Sequence, residues 1–319
     1  MTYFLFALGF VLLIKGAAWL VDGASAIGRK FRVPEMIIGL TIVSFGTSLP
    51  ELLVTTMASL EGKAELGVSN ILGSNIANIL IILGLAAIIR PLPIARDTYL
   101  IDIPISMFAV MLLGFLANSH FITDSTALEI TRIDGGILLF FFFCFMVYIL
   151  AEARAKPAEA DPQMTAGQMP MAALKIGVGI LMLYFGGEWV VDGASLIATR
   201  AGLSEAFIGL TIVAVGTSLP ELVTSAVAAY KGNVSIAVGN AIGSNIFNVL
   251  WILGFTAMVS PIPFSPASNL DIMMVLMASA SLIVAVIIGK YPRISRPEGV
   301  LFIVVYAAYV VYLIKATGL

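Results

Sequence analysis

Long apolar runs separated by short polar breaks make up almost the whole chain. A helix crosses a bilayer with roughly 20 apolar residues. Ten segments reach that length: 3–28, 35–60, 66–90, 99–118, 133–153, 171–196, 205–230, 235–259, 270–289 and 298–317. The longest loop, 154–170, reads RAKPAEADPQMTAGQMP. It is polar and proline-containing, so it is expected to be a flexible linker too short for a folded domain of its own. The pattern therefore predicts an all-α membrane protein of ten transmembrane helices. Residues 1–153 form one five-helix half, and residues 171–319 form the other.

Composition supports the membrane assignment. The 319 residues are 60% hydrophobic and only 11% charged, against about 25% charged in soluble proteins, and the mean hydropathy is +1.05. The first segment has no basic residue ahead of it and no small-residue cleavage site, so it reads as a retained span. Twelve basic residues fall in the loops after odd-numbered spans: Arg29, Lys30, Arg32, Arg90, Arg96, Arg154, Lys156, Lys175, Lys231, Lys290, Arg293 and Arg296. Four lie on the other side: Lys63, Arg132, Arg200 and Lys315. The excess places the odd loops in the cytoplasm and both termini outside. The compact layout is expected in a bacterial or archaeal plasma (inner) membrane. The basic residues form no patch for nucleic acid. A single cysteine, Cys144, and a single histidine, His120, exclude intrachain disulfides and Cys/His metal sites. His120 reads as a loop residue.

The two halves repeat each other. Residues 34–93 align with 204–263 without a gap at an offset of 170, and 30 of the 60 positions are identical. Trp19 and Val21–Ser25 match Trp189 and Val191–Ser195 at the same offset. With an odd number of spans per half, the second half enters from the opposite side. The repeat is therefore expected to be inverted, a design recurrent in secondary transporters, whose substrate sites lie near the midplane at the repeat interface.

The identities concentrate in two stretches. The first is Gly46-Thr47-Ser48-Leu49-Pro50-Glu51, repeated as Gly216-Thr217-Ser218-Leu219-Pro220-Glu221. Pro50 lacks an N–H, so the Gly46 carbonyl loses its helical partner and the helix should break. Free carbonyls at bilayer depth require a protein-lined or polar cavity. Glu51 follows one turn beyond Thr47, and an uncompensated carboxylate in mid-span costs about 3 kcal/mol or more. The elements gathered are all oxygens, which suit hard cations. Ca²⁺ takes six to eight of them, and Glu51 with Glu221 would balance its charge. Without a cation the two carboxylates would repel, so the site is expected to hold Ca²⁺, Na⁺ or protons. The second stretch is Asn70-Ile71-Leu72-Gly73-Ser74-Asn75-Ile76-Ala77-Asn78, repeated as Asn240–Asn248 with Ser244 in place of Ser74. Ser74 and Asn78 share a helix face, as do Ser244 and Asn248. Their neutral oxygens suit Na⁺, although small and amide residues also serve close helix packing.

GTSLPE and GSNIxN, each present twice, resemble the two repeat motifs of the cation/calcium exchanger superfamily, in regions 39–84 and 209–254. The resemblance implies a secondary active antiporter exchanging Ca²⁺ for Na⁺ by alternating access, with the ions as substrates and no cofactor. By motif position it implies Ca²⁺ held by the carboxylates of Glu51 and Glu221 and the carbonyls of Thr47 and Thr217. It implies Na⁺ sites completed by Ser48, Ser218, Ser74 and Ser244 with the carbonyls of Ser44 and Ala214. Some sodium/calcium exchangers carry aspartate at the position of Asn248; here both 78 and 248 are asparagine, which leaves two acids in the site. Proton/calcium relatives carry a glutamate where this chain has Gly73 and Gly243, which argues against coupling of that type. The alternative is divalent-cation exchange against H⁺ or K⁺. An intramembrane enzyme with Ser48 or Ser218 as nucleophile lacks a base nearby in sequence, and a passive channel would need no counter-ion. The bilayer and the ions are the expected partners, with no obligate protein partner evident. Spans 1 and 6 are long and glycine-rich (Gly16, Gly23, Gly186, Gly187, Gly193), and the resemblance assigns them the moving role. Lys15 of span 1 is expected to pair with Glu188 of span 6.

Overall fold

The computed structural model describes residues 2–61, 64–119, 128–158, 168–201, 214–288 and 292–317. His120, most of the 154–170 linker and the start of the 205–230 segment lie outside them. The described chain is helical apart from four two-residue strands. Its helices are α1 (Thr2–Phe31), α2 (Glu35–Thr47), α3 (Leu49–Leu60), α4 (64–89), α5 (Thr98–Ala117), α6 (Arg132–Ala155), α7 (Met169–Arg200), the short α8 (Ala214–Gly216), α9 (Leu219–Lys231), α10 (Val234–Val259), α11 (Ser268–Ile288) and α12 (Arg296–Thr317). Eight of them are long and apolar enough to cross a membrane, and a ninth span results if the bent pair α2 and α3 counts as one. The protein is an α-helical, multi-pass membrane protein. Its outward faces carry Phe140, Phe143, Val147, Leu181, Met277 and Val304 exposed, a surface that suits lipid and not water.

Helices α4 and α10 form the centre of the bundle and are the most enclosed of its spans. Each is interrupted by a wide turn of π-helix, Asn78–Ile82 in α4 and Phe247–Leu253 in α10. Such bulges re-aim side chains and are frequent at functional sites. Glycines let α2 reach α10: a Cβ on Gly239 would lie 2.5 Å from the Met36 carbonyl oxygen, and one on Gly243 would lie 2.8 Å from Leu40 backbone.

Two strand pairs clip the halves together at the helix ends. Strand β1 (Leu92–Pro93) runs antiparallel to β4 (Arg293–Ile294), and β2 (Glu129–Ile130) runs antiparallel to β3 (Ile262–Pro263). Each pair joins a loop of the first half to a loop of the second.

Helices α1 and α7 lie side by side on the flank of the bundle. Their contact is built on glycines seven apart, two turns of helix. A Cβ on Gly9, Gly16 or Gly23 would come within 2.9, 2.8 and 2.7 Å of the carbonyl oxygens of Gly186, Gly179 and Ala172. Facing positions therefore sum to 195, an antiparallel register with backbones in direct contact. That register overturns the expected Lys15–Glu188 pair. Glu188 faces position 7, eight residues from Lys15, or about 12 Å along the axis. Both side chains are exposed. A different pair joins the two helices at one end, where Arg200 donates to the Tyr3 hydroxyl at 2.7 Å and stacks over its ring.

Candidate functional site

Pro50 and Pro220 break their helices as the sequence requires. Helix α2 stops at Thr47, Ser48 leaves helical geometry at φ −86°, ψ 4°, and α3 restarts at Leu49 with a bend of 45°. The second half repeats this at Ser218, with φ −89°, ψ 5° before α9. Proline is tolerated in the first turn because its missing N–H would have no helical partner there. Each break brings together the carbonyl end of one helix and the amino end of the next. Glu51 and Glu221 sit in the first turns of α3 and α9, where the positive end of the helix dipole favours a carboxylate.

Both glutamates are fully enclosed, at 0% and 1% exposure. The Ser48 hydroxyl donates to Glu221 Oε1 at 3.0 Å and lies 3.2 Å from the Ser244 hydroxyl. Thus the break of the first half reaches the carboxylate of the second. Helix α3 packs against the π-turn that begins beside Asn248, and α9 against the one that begins at Asn78. Ser74, Asn78, Ser244 and Asn248 are all buried. Around them, Glu51 Oε1 and Oε2, Glu221 Oε2, Ser74 Oγ, Ser218 Oγ, Asn78 Oδ1 and Asn248 Oδ1 make no hydrogen bond within the protein. Buried polar atoms are normally satisfied; seven such oxygens on these facing helices, two of them on one carboxylate, describe a lining that a cation would complete. Among the described residues no three His, Cys, Asp or Glu side chains converge, so the lining is two carboxylates and otherwise neutral oxygens.

The threonines behave differently from the serines. Thr47 donates its hydroxyl to Asn240 Oδ1 and Thr217 donates to Asn70 Oδ1, each at 3.1 Å. Both hydroxyls thus reach an asparagine of the opposite half. Ser44 is also committed: its one hydroxyl proton is shared between the carbonyls of Gly39 at 2.7 Å and Asn240 at 3.0 Å. Its own carbonyl accepts from Ser48 N at 2.9 Å and Thr47 Oγ1 at 3.3 Å. Ala214 lies at the start of the short α8.

Four asparagines without an assigned role in the sequence reading enter here. Asn70 and Asn240 anchor the threonines. Asn75 and Asn245 meet across the interface of α4 and α10, each donating Nδ2 to the other's backbone carbonyl, at 3.2 and 3.3 Å. Their only signal in the sequence was recurrence at the 170-residue offset.

Comparison with known proteins agrees with this architecture. Residues 1–151 and 171–315 match the family described as sodium/calcium exchanger protein. The chain is 37% identical over 311 residues to the putative antiporter CaxA of Alkalimonas amylolytica, covering 94% of this chain and 95% of that one. It is 30% identical over 344 residues to the sodium/calcium exchanger MaX1 of Methanosarcina acetivorans, covering 98% of each. Among solved structures, the sodium-calcium exchanger NCX_Mj soaked with Na⁺ and Sr²⁺ superposes with a TM-score of 0.81 at 30% identity over 97% of both chains.

Proposed function

The chain belongs to the sodium/calcium exchanger family, a family of secondary transporters and not of enzymes, and on that premise we propose that it exchanges Ca²⁺ for Na⁺ across the membrane by alternating access. The ions compete for one site at the interface of the two halves, built on Glu51 and Glu221. The observation that carries this reading is the buried set of carboxylate, hydroxyl and amide oxygens that make no hydrogen bond within the protein. Two carboxylates balance one Ca²⁺; the carbonyls at the two breaks and the serine and asparagine oxygens supply the remaining, neutral ligands of the shared site, for Ca²⁺ and for Na⁺. Because Ca²⁺ and Na⁺ share the glutamates, full occupancy by one expels the other, and a sodium gradient thereby drives calcium uphill.

The same reading takes the fold as ten spans in two inverted halves, 1–153 and 171–319, joined by the 154–170 linker. Strand pairing supports it: β1 and β4 lie in the loops after the third and ninth predicted spans, and β2 and β3 in the loops after the fourth and eighth. Each pair thus joins loops on one side of the membrane. The basic end, with Arg29, Lys30 and Lys231, is taken as cytoplasmic and both termini as external, in the plasma membrane of a prokaryote.

The test is radioactive Ca²⁺ uptake into Na⁺-loaded proteoliposomes diluted into Na⁺-free buffer. Uptake should require internal Na⁺. Uptake that proceeds equally from K⁺-loaded vesicles, or only with a proton gradient, would replace sodium as the counter-ion. A current that needs no counter-ion would indicate a channel.

A further inference from the structure

The two neutral ligands proposed at the site, Asn78 and Asn248, must each turn an oxygen and not an N–H₂ toward a cation. A side-chain amide has both ends, similar in shape and opposite in polarity. What selects the end is therefore part of how the site works.

Asn75 and Asn245 are 0% and 1% exposed and meet at the crossing of α4 and α10. Asn245 Nδ2 faces the Asn75 backbone carbonyl at 3.3 Å, and Asn75 Nδ2 faces the Asn245 backbone carbonyl at 3.2 Å. A carbonyl only accepts, so neither amide can be reversed without setting oxygen against oxygen in a buried space. Each amide is thereby left with its Oδ1 pointing the other way. Asn245 Oδ1 accepts from Asn78 Nδ2 at 2.9 Å, and Asn75 Oδ1 accepts from Asn248 Nδ2 at 3.0 Å. That second contact forces the nitrogen ends of Asn78 and Asn248 away from the site. Their oxygens, Asn78 Oδ1 and Asn248 Oδ1, are the atoms left without a partner in the protein. The direction of each hydrogen bond follows from the one before it, starting at a backbone carbonyl that cannot change sign.

We propose that Asn75 and Asn245 are positioning residues: a reciprocal amide clamp that fixes Asn78 and Asn248 with oxygen inward and makes the central site a cation site. This rests on the reading of Asn78 and Asn248 as ion ligands. The clamp is also crossed between halves. Asn75 of the first half orients Asn248 of the second, and Asn245 orients Asn78. The ligands of each half are thus set by the other.

A double-mutant cycle on the full-length protein tests it, with half-saturating Ca²⁺ measured by equilibrium binding in detergent alongside thermal stability. Asn78→Ala and Asn245→Ala should each raise half-saturating Ca²⁺ about tenfold, the scale of one lost polar contact to an ion. If Asn245 acts through Asn78, its effect should vanish in the Asn78→Ala background, because interacting residues are non-additive. A merely structural role would lower the melting temperature while leaving half-saturation in place. If Asn78→Ala has no effect on half-saturation, the ligand reading itself fails. If Asn78→Ala weakens binding and Asn245→Ala does not, or the two effects add, the clamp is overturned while the ligand reading stands. Should Asn245→Ala yield no folded protein, the mirror cycle of Asn75→Ala with Asn248→Ala carries the same prediction.

Discussion

The two halves share half of their residues over the repeat, yet they are not bonded alike. Asn240 is fully engaged: its oxygen accepts from Thr47, and its nitrogen donates to Ser225 Oγ at 3.0 Å. Its counterpart Asn70 accepts from Thr217, but Asn70 Nδ2 and the Thr55 hydroxyl, the equivalent of Ser225, are both buried without a hydrogen bond. Ser48 holds Glu221, whereas the Ser218 hydroxyl and both oxygens of Glu51 are unbonded. The flank helix α1 is also tied to the bundle. Near the basic end of α1, Asp22 pairs with Lys231 Nζ at 2.6 Å and Ser25 accepts from Asn233 at 3.2 Å. Among the described residues, Ser48 and Glu221 are joined where Ser218 and Glu51 are not. If the halves are inverted as proposed, one shared conformation would be open or closed at both membrane faces together. On the proposed alternating-access reading, unequal bonding at the two breaks is what opening to one side would require.

Removing the carboxylates breaks this comparison most severely. Glu51→Gln and Glu221→Gln should each lower Ca²⁺ transport at least about a hundredfold, since losing one member of a buried charge set costs about 3 kcal/mol or more. Uptake assays on both variants should give the same loss despite their different hydrogen bonds. A large difference between them would mean that one half alone forms the site. Next come the glycines of the flank pair. Gly16→Leu and Gly179→Leu push side chains into each other's backbone and should each destabilise by about 1–3 kcal/mol, read as a lower melting temperature in detergent. Equal effects from the two would support the reciprocal register.

Smaller effects sharpen the asymmetry. Ser48→Ala should destabilise the ion-free protein by about 1 kcal/mol more than Ser218→Ala, because only Ser48 bonds a carboxylate. Equal melting temperatures would show that the two halves interconvert freely without ions. The smallest change expected is from Asp22→Asn. The Lys231–Asp22 pair is part-exposed, so its loss should cost no more than about 1 kcal/mol. It should appear as a modest change in apparent Ca²⁺ affinity from one membrane face only. Equal change from both faces would show that the tie does not distinguish the two conformations.

Much of this was legible before the structure. Apolar runs located the ends of the described helices to within a few residues, from α1 at Thr2–Phe31 to α12 at Arg296–Thr317, because bilayer thickness dictates their length. Pro50 and Pro220 announced the breaks, since a missing N–H acts locally. The Lys15–Glu188 pair failed because charge says nothing about the axial register of two helices. The glycines at 9, 16, 23, 179 and 186 did encode that register, at a seven-residue period that opposite charges had obscured. The roles of Asn70, Asn75, Asn240 and Asn245 were not readable, because an amide's function depends on which end faces which neighbour. Nor could identical motifs reveal that Ser48 bonds a carboxylate and Ser218 does not.

The central claim is one site, made by both halves, for which Ca²⁺ and Na⁺ compete. Equilibrium Ca²⁺ binding to the purified protein, titrated with Na⁺, tests it most directly. The account predicts one Ca²⁺ per chain, displaced completely by Na⁺ and absent in both Glu51→Gln and Glu221→Gln. Calcium that remains bound at saturating Na⁺, or that survives in either variant, would contradict it.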